Sequence, residues 1–238
     1  MAHGMVDPAI FEGLQSKIDD DKVFRDSIRD LVQELEKQAR TTQSILSRVH
    51  STPSAKTASV VKAAEAELQG QFKTIRTLAE KASTQPYYKW NSMWTRQIQD
   101  VIFSVLFTGW LGGLHEGGET GQLFTIEQVG AAMQIPTNLK DRDAFHITIE
   151  EYLLALVSLT DELGRLARNS VTLQDFRRPL QIAQFIKDVF SGFQILNLKN
   201  DILRKRVDAL KYRVKEVEDV VYDLSLRGLV PKEEESAA

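Results

Sequence analysis

From Leu203 to Leu224 the apolar residues Leu203, Val207, Leu210, Val214, Val217, Val221 and Leu224 fall at alternating spacings of four and three. A period of 3.5 residues fits a helix with one apolar seam and no other regular structure. Such a seam needs a cover, either the rest of one bundle or another subunit. Helical spacing governs the rest of the chain too. Phe24, Ile28, Leu31, Leu35, Thr42, Ile45 and Val49 mark a first long helix, which Ser51-Thr52-Pro53-Ser54 breaks. Ser54 is a suitable N-cap for a second helix striped by Val61, Ala64, Leu68, Ile75, Leu78 and Ala82. A third is predicted from Tyr87 to Leu111, with Tyr87, Trp90, Trp94, Ile98, Val101 and Val105 on its stripe and Pro86 at its start. Further helices are expected over Thr125–Met133, over Thr148–Ser170 and from Pro179 to Leu198, the last with Phe185 off its apolar face. Thirteen glycines and six prolines are too few for a strand-and-turn architecture. The expectation is an all-α, elongated bundle of about seven helices forming one domain over residues 5–228. Residues 1–4 read as a cloning remnant, and 229–238 as a solvated, disordered acidic tail.

Composition removes several classes of function. Without any cysteine there is no disulfide, Cys-based zinc site or thiol nucleophile, and a reducing intracellular address fits. The start lacks the basic-then-apolar pattern of a signal peptide. The longest apolar stretch, Val101 to Leu114, is about 14 residues against the roughly 20 a bilayer requires, so no membrane is expected. Net charge is −3 and the pI is near 5.9, so a nucleic-acid site has to be local or assembled from several chains.

Four features invite a chemical reading. The glycine-rich run Gly109 to Gly121 resembles a phosphate cradle, but it lacks the Lys-Ser/Thr ending and follows a helix, so it reads as a flexible connection. His3, His50, His115 and His146 share no metal-binding spacing and read as surface or loop residues, with His115 and Glu119 the nearest approach to a ligand pair. The run Arg204-Lys205-Arg206 is more informative. Lys199, Arg206 and Arg213 fall on one flank of the heptad seam and Arg204 and Lys211 on the other, an arrangement that can grip a phosphate backbone or select a partner helix. Finally, Tyr87-Tyr88-Lys89-Trp90, Trp94 and Arg96 mix rings and cations. The tryptophans lie on the apolar stripe, which leaves Lys89 and Arg96 to face a ligand.

The stretch Leu196-Asn-Leu-Lys-Asn-Asp-Ile-Leu-Arg-Lys-Arg206, with Leu210-Lys-Tyr212 and Val217-Glu-Asp-Val-Val-Tyr-Asp-Leu-Ser-Leu-Arg-Gly228, resembles the C-terminal signature of the translin family. Arg178-Pro179-Leu180, Phe185-Ile186, Ser191-Gly192-Phe193, Glu150-Glu151-Tyr152-Leu153 and Tyr87-Tyr88 match as well. The resemblance implies a seven-helix protein that assembles into hollow octamers and binds single-stranded RNA and DNA inside, in cytoplasm and nucleus. It also implies co-assembly with translin-associated factor X into an Mg²⁺-dependent endoribonuclease that processes small-RNA strands and tRNA fragments. Lys89, Arg204 and Lys205 fall on the family's binding positions. Asn91 and Met93 stand where animal translins carry histidines. The full set of nucleic-acid-binding candidates is Lys89, Arg96, Lys199, Arg204, Lys205 and Arg206.

In the family's catalytic paralogue, four acids form an i,i+3 pair and an i,i+4 pair. The matching positions here are Asp100 with Phe103 and Ser158 with Glu162, so each pair has lost one carboxylate. Glu151 shares Glu162's face but lies three turns away, about 16 Å along the axis. The expectation is a non-catalytic subunit with no cofactor or metal of its own. Two other readings stay open: a metal-dependent endoribonuclease using Asp100 and Glu162, and a purely structural helical assembly protein.

Overall fold

A computed structural model describes residues 7–199 and 201–231; residues 1–6 and 232–238, which include the tag-like start and most of the tail, lie outside. Helix α1 (Pro8–Ser47) runs 40 residues, about 60 Å. It starts where Asp7 accepts the Ala9 amide (2.9 Å) and Pro8 supplies a preset φ at the first position. After short 3₁₀ turns at Arg48–Ser51 and Ser54–Lys56, α2 (Thr57–Ala82) folds back against α1. All six residues of its predicted stripe are buried. Inside this pair the buried Gln71 amide donates to the Thr42 hydroxyl and to the Gln38 carbonyl (3.0 Å). Ser54 is not the expected cap. It sits in the 3₁₀ turn, and its hydroxyl donates to Asp175 instead.

The predicted third helix is two. A single turn, α3 (Tyr87–Trp90), passes through a 3₁₀ turn at Asn91–Met93 into α4 (Thr95–Trp110). Trp90 and Trp94 carry the non-helical φ values, −120° and −126°. The break lets both indoles enter the core, where Trp90 meets Phe24 at 4.8 Å and Trp94 meets Phe145 at 5.4 Å between ring centroids. The glycine-rich connection after α4 is pinned rather than loose: Gly121 donates to the Trp110 carbonyl (2.8 Å), Gly113 to that of Thr108 (2.9 Å), and the Leu114 amide to Glu65 (2.7 Å). Gly112, at φ +95°, occupies a conformation that a side chain disfavours.

Capping boxes start the next two helices, α5 (Ile126–Met133) through Thr125 and Gln128, and α6 (Ile149–Thr172) through Thr148 and Glu151. Helix α7 (Arg177–Ile195) follows, and Phe185 is buried against Trp110 rather than lying off the packed face. The regular last helix is also interrupted, at Ala209, into α8 (Asp201–Asp208) and α9 (Leu210–Leu226). Every seventh residue of the seam, Leu203, Leu210, Val217 and Leu224, is buried, while Val207, Val214 and Val221 are half-buried. The seam packs inside its own bundle, with α9 on α6 and α7. Gly164 on α6 admits this approach, since a Cβ there would collide with the Arg213 side chain. With α3/α4 and α8/α9 counted as rods, seven helical rods make one core with no strand among the described residues. None of these helices is long and apolar enough to cross a membrane.

Glu151 anchors the start of α6. It is 2% exposed, accepts the Thr148 amide (2.9 Å) and hydroxyl (2.9 Å), and takes the Thr95 hydroxyl from α4 (2.6 Å). Burial raises its pKa, and those hydrogen bonds pull it partly back. Glu151→Ala strands three donors and is expected to cost about 3 kcal/mol. Glu151→Gln keeps an acceptor in a neutral group and is expected to cost about 1 kcal/mol. Denaturant unfolding of the two variants measures the difference.

Candidate nucleic-acid interface

Helix α4 is packed by α1, α2 and α6, and nearly all of its last two turns is buried. One stripe escapes: Arg96, Gln99, Asp100 and Phe103, at spacings of three and four. Helix α6 faces it with Ser158, Glu162 and Arg165 at spacings of four and three. The end of α1 adds Gln43 and Ser47, and α8 adds Arg206. Together they line a cleft of about 490 Å³. The structure therefore brings together Arg96, Arg206, the two surviving acids and the two substituted positions.

The acids sit in opposite environments. Burial raises the pKa of Asp100, with nearby Arg96 offsetting part of the rise. Glu162 is lowered, first by the hydrogen bond from His50 (2.5 Å) and then by the charges of His50 and Arg165, the latter 3.5 Å away. His50 is buried, against the surface or loop position expected of it, as is His146. The Asn169 amide nitrogen lies 3.1 Å from His50 Nδ1 and holds the ring with Nε2 toward Glu162. Ser158, one turn before Glu162, accepts from the Arg206 guanidinium (3.1 Å). Phe103, beside Asp100, stacks on Phe107 at 5.9 Å. A divalent cation does not fit this set. One carboxylate is engaged by His50 and Arg165, the other is partly buried beside Arg96, and the Arg206 guanidinium occupies Ser158 in the same cleft. Among the described residues no three His, Cys, Asp or Glu side chains come together as a metal site.

The remaining cations are dispersed. Lys89 does not face open solvent alone: it pairs with Asp21 (2.5 Å) beside a groove under α1 and lies 5.0 Å from the Trp90 ring. Arg204 lines a separate groove with Phe190, Phe193 and Val207. Lys199 and Lys205 are exposed outside both. Arg213, on the same seam flank as Arg206, belongs to a helix-pairing network. It bonds Asp161 (2.9 Å) and Glu216, and Glu216 also takes Arg168. Arg206 stands between the two roles, since Asp161 is 3.9 Å away. Sequence reasoning missed Arg165, although it lies one turn after Glu162. It also missed the link from His50 to Glu162, for which a separation of 112 residues leaves no local signal. His115 Nδ1 donates to the Glu116 carbonyl (3.1 Å), and no hydrogen bond or ion pair joins it to Glu119 among the described residues.

Seven helical rods around one core, with a polar cleft between α4 and α6, define a translin-type helical bundle. The Translin family profile matches residues 23–228, and the chain belongs to the translin family. It is 41% identical to translin of Gallus gallus over 226 residues, covering 93% of each chain. With translin of Homo sapiens the identity is 40% over 221 residues, covering 92% of each. Similarity to the translin-associated protein X of Pongo abelii is lower, at 25%, over 93% of this chain and 80% of that one. Two solved structures share the fold. Apo-NeC3PO superposes with a TM-score of 0.66 at 11% identity, covering 92% of this chain and 98% of that one. AfC3PO in complex with duplex RNA does so with 0.64 at 15%, covering 93% and 99%.

The lowered pKa of Glu162 gives a testable pH dependence. Its stabilisation is present above the ordinary glutamate value of about 4.3 and is lost as pH falls through the lower folded value. In His50→Leu the principal cause of the lowering is gone. The fall in unfolding free energy between about pH 5 and pH 3 should therefore be shallower than in the parent. Urea titrations at several pH values check the slope.

Proposed function

We propose that the chain binds single-stranded RNA and DNA as a homo-octamer, and that it serves as the non-catalytic subunit of an endoribonuclease with translin-associated factor X. In that complex the partner supplies the paired acids and the Mg²⁺ they hold, for trimming small-RNA strands and tRNA fragments in cytoplasm and nucleus. The observation that carries the reading is the division of labour along α8. Arg204 and Lys205 are exposed and make no ion pair among the described residues, while Arg206 lies in the α4–α6 cleft where the second acid of the paralogue's pair would be. An overall charge of −3 fits a closed shell with its basic residues gathered inside. Self-assembly is supported by an apolar stripe on the first turns of α1. Ile10, Phe11, Leu14 and Ile18 are all about half exposed or more, and Ile195 and Ile202 are exposed near α8.

The alternative of an enzyme in its own right would need Asp100 and Glu162 to hold a cation that the guanidinium of Arg206 opposes. Purified chain with Mg²⁺ is accordingly expected to leave single-stranded RNA intact. Robust cleavage that disappears in Asp100→Asn or Glu162→Gln would move the protein into the enzyme class. Light scattering should give a mass of about 215 kDa, eight copies of the 26.9 kDa chain.

Replacing Arg204, Lys205 and Arg206 with glutamate should weaken single-stranded RNA binding by at least about tenfold. It should also flatten the dependence of log affinity on log salt, by about 0.7 for each phosphate that is no longer neutralised. An unchanged oligomer with unchanged affinity and slope would remove these residues from the interface. A changed oligomer with binding lost only as a consequence would assign them to helix pairing.

A further inference from the structure

The cleft that does not suit a cation has the composition of an anion pocket. Arg96, Arg165 and Arg206 reach it from three different helices, against two carboxylates, Asp100 and Glu162. Glu162 is already engaged by His50 (2.5 Å), and three guanidiniums face two carboxylates, so the charge that remains to greet a ligand is positive. Guanidinium groups from separate helices can approach a phosphate from several sides and bond it through forked donor pairs. Phe103, half-buried and backed by the Phe107 ring, supplies an aromatic surface in the same cleft. Aromatic surfaces of this kind receive bases regardless of their identity. The volume, about 490 Å³, lies in the range of pockets for small ligands.

We infer that the α4–α6 cleft is a pocket for one nucleoside phosphate, with the phosphate on Arg165, Arg206 and Arg96 and the base against Phe103. This deepens the strand-binding reading and rests on it: the two substitutions that remove the paired acids, Phe103 and Ser158, create a ring for the base and a seat for Arg206. The phosphate can be a terminal monoester or an internal diester of a strand, and both share the chemistry described.

The test uses the full-length oligomer, two variants and three probes. Arg165→Gln alters an exposed side chain outside the basic run, and Phe103→Ala removes the ring; unchanged oligomer size and melting profile establish that each is folded. The probes are adenosine 5′-monophosphate and a uridine decamer with and without a 5′-phosphate. Adenosine 5′-monophosphate is expected to bind the parent, and both variants should bind it about tenfold or more weakly. If the phosphorylated decamer binds the parent more tightly than the hydroxyl form, and Arg165→Gln closes that gap, the pocket holds a strand end. If Arg165→Gln weakens both decamers equally, it holds an internal phosphate. Parent-like binding of the nucleotide and both decamers by both folded variants would overturn the inference while leaving strand binding intact. Nucleotide binding that depends on Arg165, with no decamer bound by the parent, would support the pocket and sink the strand-binding reading. Should neither bind the parent, both are overturned.

Discussion

The burial of α4 is the constraint from which the rest of the molecule follows. From Ser104 to Leu111 every residue is buried, with Ile98, Val101 and Ile102 below them. A helix apolar on so many sides has to be surrounded, and α1, α2 and α6 do this. Removing that much apolar surface from water is the dominant favourable contribution available to such a fold. It also decides where chemistry can occur. Only the N-terminal half of α4, on the stripe through Arg96, Asp100 and Phe103, keeps a side open, and the same packing that seals the others presents that side to α6.

Much of this was legible in the chain. Helical spacing located every rod because interior and exterior positions of an amphipathic helix differ in the side chains they tolerate. The breaks inside two rods were not legible. Tyr87 to Leu111 has no proline or interior glycine before Gly109, and the turn at Asn91–Met93 follows from where two indoles must go, a tertiary demand with no local mark. Likewise the seam continues through Ala209 without a flaw, although the helix does not. At the site, the substituted acid positions Phe103 and Ser158 were visible from the resemblance. The replacement of a carboxylate position by a guanidinium contact was not, because Arg206 comes from an element 48 residues downstream.

Electrostatically, the cleft balances three guanidiniums against two carboxylates. Each of the two facing helices brings one acid, Asp100 from α4 and Glu162 from α6, with Phe103 and Ser158 beside them. Arg206 reaches the α4–α6 wall at Ser158, and Glu162 bonds His50 inside the bundle.

The seven-residue rhythm of burial in the last rod has a mechanical meaning. Helix α8 is eight residues long, is separated from α9 at Ala209, and turns buried Leu203 and half-buried Val207 toward the protein. This two-turn segment is held to the body by Leu203 and Val207 and, through Arg206, by Ser158 and Asp161 of α6. Beyond the break, α9 is tied to the same helix by Arg213 on Asp161 and by Arg168 on Glu216. Asp161 thus takes one arginine from each side of the break at Ala209, so a single carboxylate joins the two halves of the last rod.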